Sequence, residues 1–89
     1  METMTSAPAD PAARRGQLRW RCMRRGLLEL DLVFQRFLDQ RFDTLGEDHL
    51  NALEELLKYE DVDLWPLVSG REECGDSRLR EMVDILRAT

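Results

Sequence analysis

The sequence predicts an all-α protein, a compact single domain of four to five helices. Three observations carry this. Apolar residues recur at spacings of three and four in several separate segments. No stretch alternates apolar and polar residues with period two for long enough to form a strand. Glycine and aspartate clusters punctuate the segments at short intervals, as expected of helices joined by short connections.

Residues 1–13, METMTSAPADPAA, are rich in Ala, Pro, Ser and Thr and read as a disordered tail. The helical domain is then residues 14–89. A first helix is expected from about Gln17 to Arg24. Leu18 and Cys22 share one face and Trp20 and Met23 another, with Trp20 as its anchor. It is too short to be stable alone. Gly26 interrupts the pattern. A second helix is expected from Leu27 to about Phe42, where Leu27, Leu30, Phe34, Phe37 and Leu38 make a continuous apolar stripe. Val33 and Phe42 widen it, so this helix should be touched on more than one side.

Asp43-Thr44-Leu45-Gly46 is a turn. A third helix should follow from Glu47 to about Glu60, with Leu50, Leu53, Leu56 and Leu57 inward. Thr44 and Glu47 fit a capping box, and Gly46 as the cap is an equal alternative. Leu64 to Val68 reads as a short helix or turn. With Asp63 as its cap, Pro66 falls in the first turn, where its missing N–H costs little. With Asp61 as the cap, a real hydrogen bond would be lost, so Asp63 is the preferred reading. Arg71 to Gly75 is a polar loop. Asp76 or Ser77 then caps a last helix to about Arg87, with Leu79, Met82, Val83 and Leu86 on one face.

Eighty-nine residues allow one domain with a small core. A deep catalytic cavity is hard to build at this size, whereas a partner-binding surface is easy. The formal net charge is −5. It is unevenly spread. Residues 1–25 carry Arg14, Arg15, Arg19, Arg21, Arg24 and Arg25 against Glu2 and Asp10, a net +4, and the remainder carries −9. An acidic body repels phosphates, so nucleic acid is not an expected partner. No stretch approaches the ~20 apolar residues needed to span a bilayer. Residues 1–13 lack the apolar run of a secretory signal. The two cysteines, Cys22 and Cys74, are therefore expected as free thiols in a cytoplasmic protein.

No cofactor or metal site is expected. The chain has a single histidine, His49, and no Cys-x-x-Cys pair. Cys22 falls on an apolar stripe, where a buried, inert thiol is the ordinary reading. The acidic pairs Glu54/Glu55, Asp61/Asp63 and Glu72/Glu73 read as solvated faces, and no phosphate-cradling glycine loop is present. The chemistry of an enzyme is missing.

The stretch Arg24-Arg25-Gly26-Leu27-Leu28-Glu29 stands apart. By periodicity it is a well-formed joint. Gly26 tolerates positive φ and can end one helix and begin the next. Arg24 and Arg25 sit at a negative helix end and Glu29 near a positive one. Together with Trp20-Arg21-Cys22 before it and Leu30-Asp31 after it, the stretch also closely resembles the signature of the SdhE family of small bacterial proteins. That signature is R-G-x-x-E, preceded by W-x-x-x-R and followed by L-D. The likeness continues through Asp43-Thr44-Leu45, Leu56-Leu57 and Asp61-Val62-Asp63-Leu64, so it covers about residues 17–87. Trp65-Pro66 departs from the family pattern, with a shifted tryptophan and an added proline. The Glu72-Glu73-Cys74-Gly75 loop has no family landmark.

The resemblance implies a five-helix, non-enzymatic assembly chaperone. Members bind the flavoprotein subunit of succinate dehydrogenase, and in bacteria of related fumarate reductases, and promote covalent attachment of FAD. It implies that Arg25, Gly26 and Glu29 contact that subunit, with Arg24, Arg21, Trp20 and Asp31 extending the patch. The free protein should be a monomer. Arg25 would offer a planar fork to the partner and Glu29 an acceptor one helical turn away. As exposed charges, both should tolerate alanine within about 1 kcal/mol of stability. An antitoxin-like or regulatory interaction module is the alternative, and a redox role for Cys22 and Cys74 is a weaker third reading.

Overall fold

The computed structural model describes residues 11–23 and 25–89. Residues 1–10 of the expected tail, and Arg24, lie outside the described residues. The described chain forms helices α1 (Pro11–Cys22), α2 (Leu28–Gln40), α3 (Glu47–Leu56), α4 (Asp61–Val68) and α5 (Ser77–Arg87), with a 3-10 turn at Phe42–Thr44 between α2 and α3. The fold class is all-α, as the spacing predicts.

The core is built from the expected stripes. Leu30, Phe34, Phe37 and Leu38 of α2 are buried, as are Leu50, Leu53 and Leu56 of α3 and Leu79, Met82, Val83 and Leu86 of α5. Helix α2 is central and touches α1, α4 and α5. Phe37 meets Phe34 and Phe42 edge-on, at centroid distances of 6.4 and 6.0 Å. That geometry adds a modest stabilisation to the apolar area the rings bury.

Several boundaries differ from expectation. Helix α1 begins at Pro11, not Gln17. Proline suits a first helical position, and Ala12 and Ala13 favour helix. Periodicity misses this turn because polar contacts hold it. Arg14 reaches Glu47, Asn51 and Glu54 at 2.7, 2.7 and 3.0 Å. Helix α3 ends at Leu56, four residues before the expected end. Its cap is Gly46, and the Thr44 hydroxyl bonds the Arg41 carbonyl instead of forming a capping box. Helix α4 begins at Asp61 after Glu60, so Asp63 is not the cap and Pro66 lies inside the helix. Pro66 cannot donate to the Val62 carbonyl, but Val62 is exposed and water can take that place. At α5 the expected Asp76 cap is found, accepting the Arg78 N–H at 2.9 Å.

A device the sequence does not reveal closes each corner after α2. An arginine from elsewhere donates to main-chain carbonyls there. Arg15 of α1 reaches Phe42 and Leu45 between α2 and α3. Arg25 reaches Leu57 and Tyr59 between α3 and α4. Arg87 of α5 reaches Leu67 and Glu72 between α4 and α5, both at 2.7 Å. The last carbonyls of a helix lack intrahelical partners, so cationic donors are favoured at these ends.

Candidate functional site

The joint between α1 and α2 is held from two sides. Gly26 has φ +106°, a conformation that side-chain-bearing residues rarely adopt. Beside it, the Arg25 N–H donates to the Asp31 carboxylate at 2.8 Å. Asp31 lies in the first turn of α2, so it ties the incoming chain to the helix it starts. The Arg25 side chain then turns inward. Its Nε–H donates to Asp61 at 2.8 Å, and its two terminal nitrogens donate to the Leu57 and Tyr59 carbonyls. At least three of its five N–H groups are therefore engaged within the chain. Its side chain is only 11% exposed. Arg25 is thus not the exposed charge that the sequence suggests, and it is a latch between the joint and the α3–α4 corner.

The other expected site residues fall into two groups. Trp20 is 75% exposed, so it does not anchor α1. Leu18 and Cys22, both buried, do that. Arg21 and Glu29 are exposed and have no partner among the described residues. Gly26 is exposed as well, so its bare backbone is open to a neighbour. Trp20, Arg21, Gly26 and Glu29 are therefore presented outward, whereas Arg25 and Asp31 are engaged internally. Arg24 lies outside the described residues.

The surface around the joint also holds residues that sequence reasoning missed. Trp20, Arg21 and Met23 form one side of a groove of about 540 Å³, and Tyr59, Glu60 and Val62 of the α3–α4 corner form the other, with Arg25 and Asp61 also lining it. Val62 is 78% exposed. Leu28 and Leu32 are exposed on α2. Apolar side chains clustered in this way mark an interaction surface more often than chance exposure does. The signal for Leu28 and Leu32 was available, since they share a face away from the core stripe. Nothing local in the sequence could bring Tyr59 and Val62 beside Trp20.

The nucleophile candidates have other roles. Burial pushes the Cys22 thiol up to about 12 from 9.0, against the opposing influence of Arg25, Arg21 and Arg19. A thiol held protonated is a poor nucleophile. His49 pairs with Glu81 at 2.7 Å, linking α3 to α5. Because the folded-state pKa of Cys22 is raised, the unfolded chain loses this proton first as pH rises. The Cys22 contribution to stability should therefore be intact below about pH 9 and decline towards pH 12. A Cys22→Ala variant should lose less stability than the wild type between those pH values in denaturant titrations.

Among the described residues, no group of three or more His, Cys, Asp or Glu residues could hold a metal ion, and no helix is long and apolar enough to cross a membrane. The arrangement offers a surface with apolar walls and two open charges of opposite sign, beside a backbone stripped of side-chain bulk at Gly26.

Comparison with known proteins gives a consistent result. The model of a family described as the flavinator of succinate dehydrogenase matches residues 16–89. The FAD assembly factor SdhE of Idiomarina loihiensis is 42% identical over 67 residues, which cover 75% of this chain and 73% of that protein. The protein of the same name from Legionella pneumophila is 41% identical over 73 residues, covering 82% and 90%. That from Vibrio cholerae is 38% identical over 73 residues, covering 82% and 84%. No solved structure matches the chain with significance. The chain belongs to the family of succinate dehydrogenase flavinators.

Proposed function

We propose that this flavinator-family member is a non-catalytic assembly chaperone that binds the flavoprotein subunit of succinate dehydrogenase and promotes covalent attachment of FAD to it. The observation that carries the reading is the joint itself. The Arg25-Gly26-x-x-Glu29 signature is intact, and it lies at an exposed junction with Trp20, Arg21 and Glu29 open to a partner. A fumarate reductase flavoprotein belongs to the same class of partner. The free chaperone is a monomer of the cytoplasm in this reading. FAD stays within the flavoprotein, and the chaperone holds the subunit in an arrangement in which the bond forms.

Co-expression with the cognate flavoprotein subunit tests this directly. Covalent flavin, read by in-gel fluorescence, should rise strongly when the chaperone is present. Equal signal with and without it would sink the proposal. Recovery of a toxin-like partner in place of the flavoprotein would favour the antitoxin-like reading.

The contact residues make a further prediction. Trp20→Ala and Glu29→Ala remove exposed side chains, so each should change stability by no more than about 0.5 kcal/mol. Each should nevertheless weaken flavoprotein binding by roughly tenfold or more, as truncation at the centre of an interface does. Thermal melts beside titration calorimetry would separate the two effects.

A further inference from the structure

Arg25 presents a puzzle under the reading just given, on which this inference rests. It is the charged residue at the head of the signature, yet its guanidinium is already occupied within the chain. It is engaged by Asp61, Leu57 and Tyr59, and its side chain is 11% exposed. An arginine so occupied has little left to offer a second protein. What it does control is the position of the α3–α4 corner. Asp61 opens α4, and Leu57 and Tyr59 follow the end of α3. Tyr59 and Val62 are the exposed apolar side chains of that corner, and they face the end of α1 across the groove.

We infer that Arg25 is a positioning residue. With Asp61 it holds the α3–α4 corner against the end of α1, and the flavoprotein meets the resulting groove, not the guanidinium. Trp20 and Met23 form one wall and Tyr59 and Val62 the other. The occupant is a segment of the flavoprotein subunit that inserts an apolar side chain between them. The groove borders Gly26 of the surface proposed above to contact that subunit, because Arg25, next to Gly26 in the chain, and Asp61, whose Oδ2 stands 3.8 Å from where a Cβ on Gly26 would be, both line it. Its charges also fix a polarity. Arg21 stands on the α1 side, exposed and with no side-chain hydrogen bond or ion pair to another described residue, whereas the corner side carries both Glu60 and Lys58, the latter paired with Glu55 at 3.3 Å. The inserted segment therefore carries an acidic group towards α1, where the Arg21 charge is open.

Asp61 is then as much part of the device as Arg25. Its Oδ1 accepts from Arg25, and its Oδ2 lies 3.8 Å from where a Cβ on Gly26 would stand. It sits beneath the joint and links the two halves of the groove.

A double-mutant cycle tests this, using titration of the purified flavoprotein subunit with wild-type chain, Arg25→Gln, Asp61→Asn and the double variant. The titrations are run at a temperature where every variant is folded by circular dichroism. Residues acting as one unit show non-additive losses, whereas independent contacts add. The expected result is that each single change weakens binding at least fivefold and the double change is within about twofold of the weaker single variant. Arg25→Lys should not rescue, because an ammonium cannot bridge Asp61 and two carbonyls as a planar fork does. Wild-type affinity in Asp61→Asn, multiplicative losses in the double variant, or rescue by lysine would each overturn the inference and make Arg25 a direct contact. Should Arg25→Gln fail to fold, Val62→Ser replaces it, since this side chain is exposed. A fivefold loss supports the groove, and unchanged affinity overturns it. If the wild-type chain fails to bind the flavoprotein at all, the chaperone reading falls first. In contrast, binding lost in Glu29→Ala but untouched in Asp61→Asn and Val62→Ser overturns only the groove.

Discussion

Arg25→Ala is expected to lower folding stability by about 2–3 kcal/mol, well beyond what an exposed charge contributes. For a domain of this size, each kcal/mol shifts the melting temperature by roughly 4–8 °C, so the fall should be roughly 10–20 °C. Three losses combine. The Asp61 carboxylate, 25% exposed, is left without its cation. The Leu57 and Tyr59 carbonyls at the end of α3 lose their donors. The joint loses its attachment to the α3–α4 corner, although the main-chain bond from Arg25 to Asp31 can survive. Partial exposure of Asp61 holds the figure below that for a fully buried pair. Differential scanning calorimetry of the variant provides the check, and a fall of less than about 1 kcal/mol would return Arg25 to the role of a surface charge.

Substitution of Gly26 should be the second large effect. Gly26→Ala is expected to cost about 1–3 kcal/mol, because φ +106° is strained for any L residue. Crowding contributes little, since the added Cβ would meet only Asp61, at an ordinary 3.8 Å. Two consequences follow from a backbone origin. Gly26→Leu should cost about the same as Gly26→Ala, as Gly26 is exposed and the torsion is the same for both L residues. A chemically synthesised chain with D-alanine at this position should recover most of the loss, because the D residue accepts positive φ. Both variants with L residues should also weaken flavoprotein binding, as the joint would re-form with a different entry angle into α2. Chemical denaturation for stability and calorimetry for binding would test this. A Gly26→Leu loss far above that of Gly26→Ala would show that sterics, not torsion, set the requirement.

The parts of the fold that follow from apolar spacing were legible. The Leu30, Phe34, Phe37 and Leu38 stripe is buried where expected, as is that of Leu79, Met82, Val83 and Leu86. Burial of apolar area is a repeating signal, and helical periodicity exposes it. What stayed hidden was carried by polar side chains reaching across 15 to 40 residues. Arg14 and Arg15 extend α1 towards the N-terminus in a stretch with no stripe to reveal it. Arg25 looked like an open charge because Asp61, its partner, stands 36 positions away. Trp20 misled for a related reason. Large aromatics are buried on average, so an exposed one reads as core until its neighbours are known. Here that exception lies beside the joint. The location of the site was legible from its motif, but the division of labour within it was not.

The arginine-closed corners have a consequence for how this sequence can drift. Arginine and lysine are often exchanged without effect where only charge matters. Arg36 and Arg71 are exposed and have no side-chain hydrogen bond or ion pair among the described residues, so lysine would serve there as well. Arg15, Arg25 and Arg87 are different, because each reaches two carbonyls at once with a planar fork. A lineage that changed those three to lysine would keep its net charge and its isoelectric point almost unaltered. It would nevertheless lose the ties at three corners of a chain whose two cysteines are free. Two codons that are neutral neighbours elsewhere in this protein are thus opposed at these positions, and no measure of overall charge or composition would register the change.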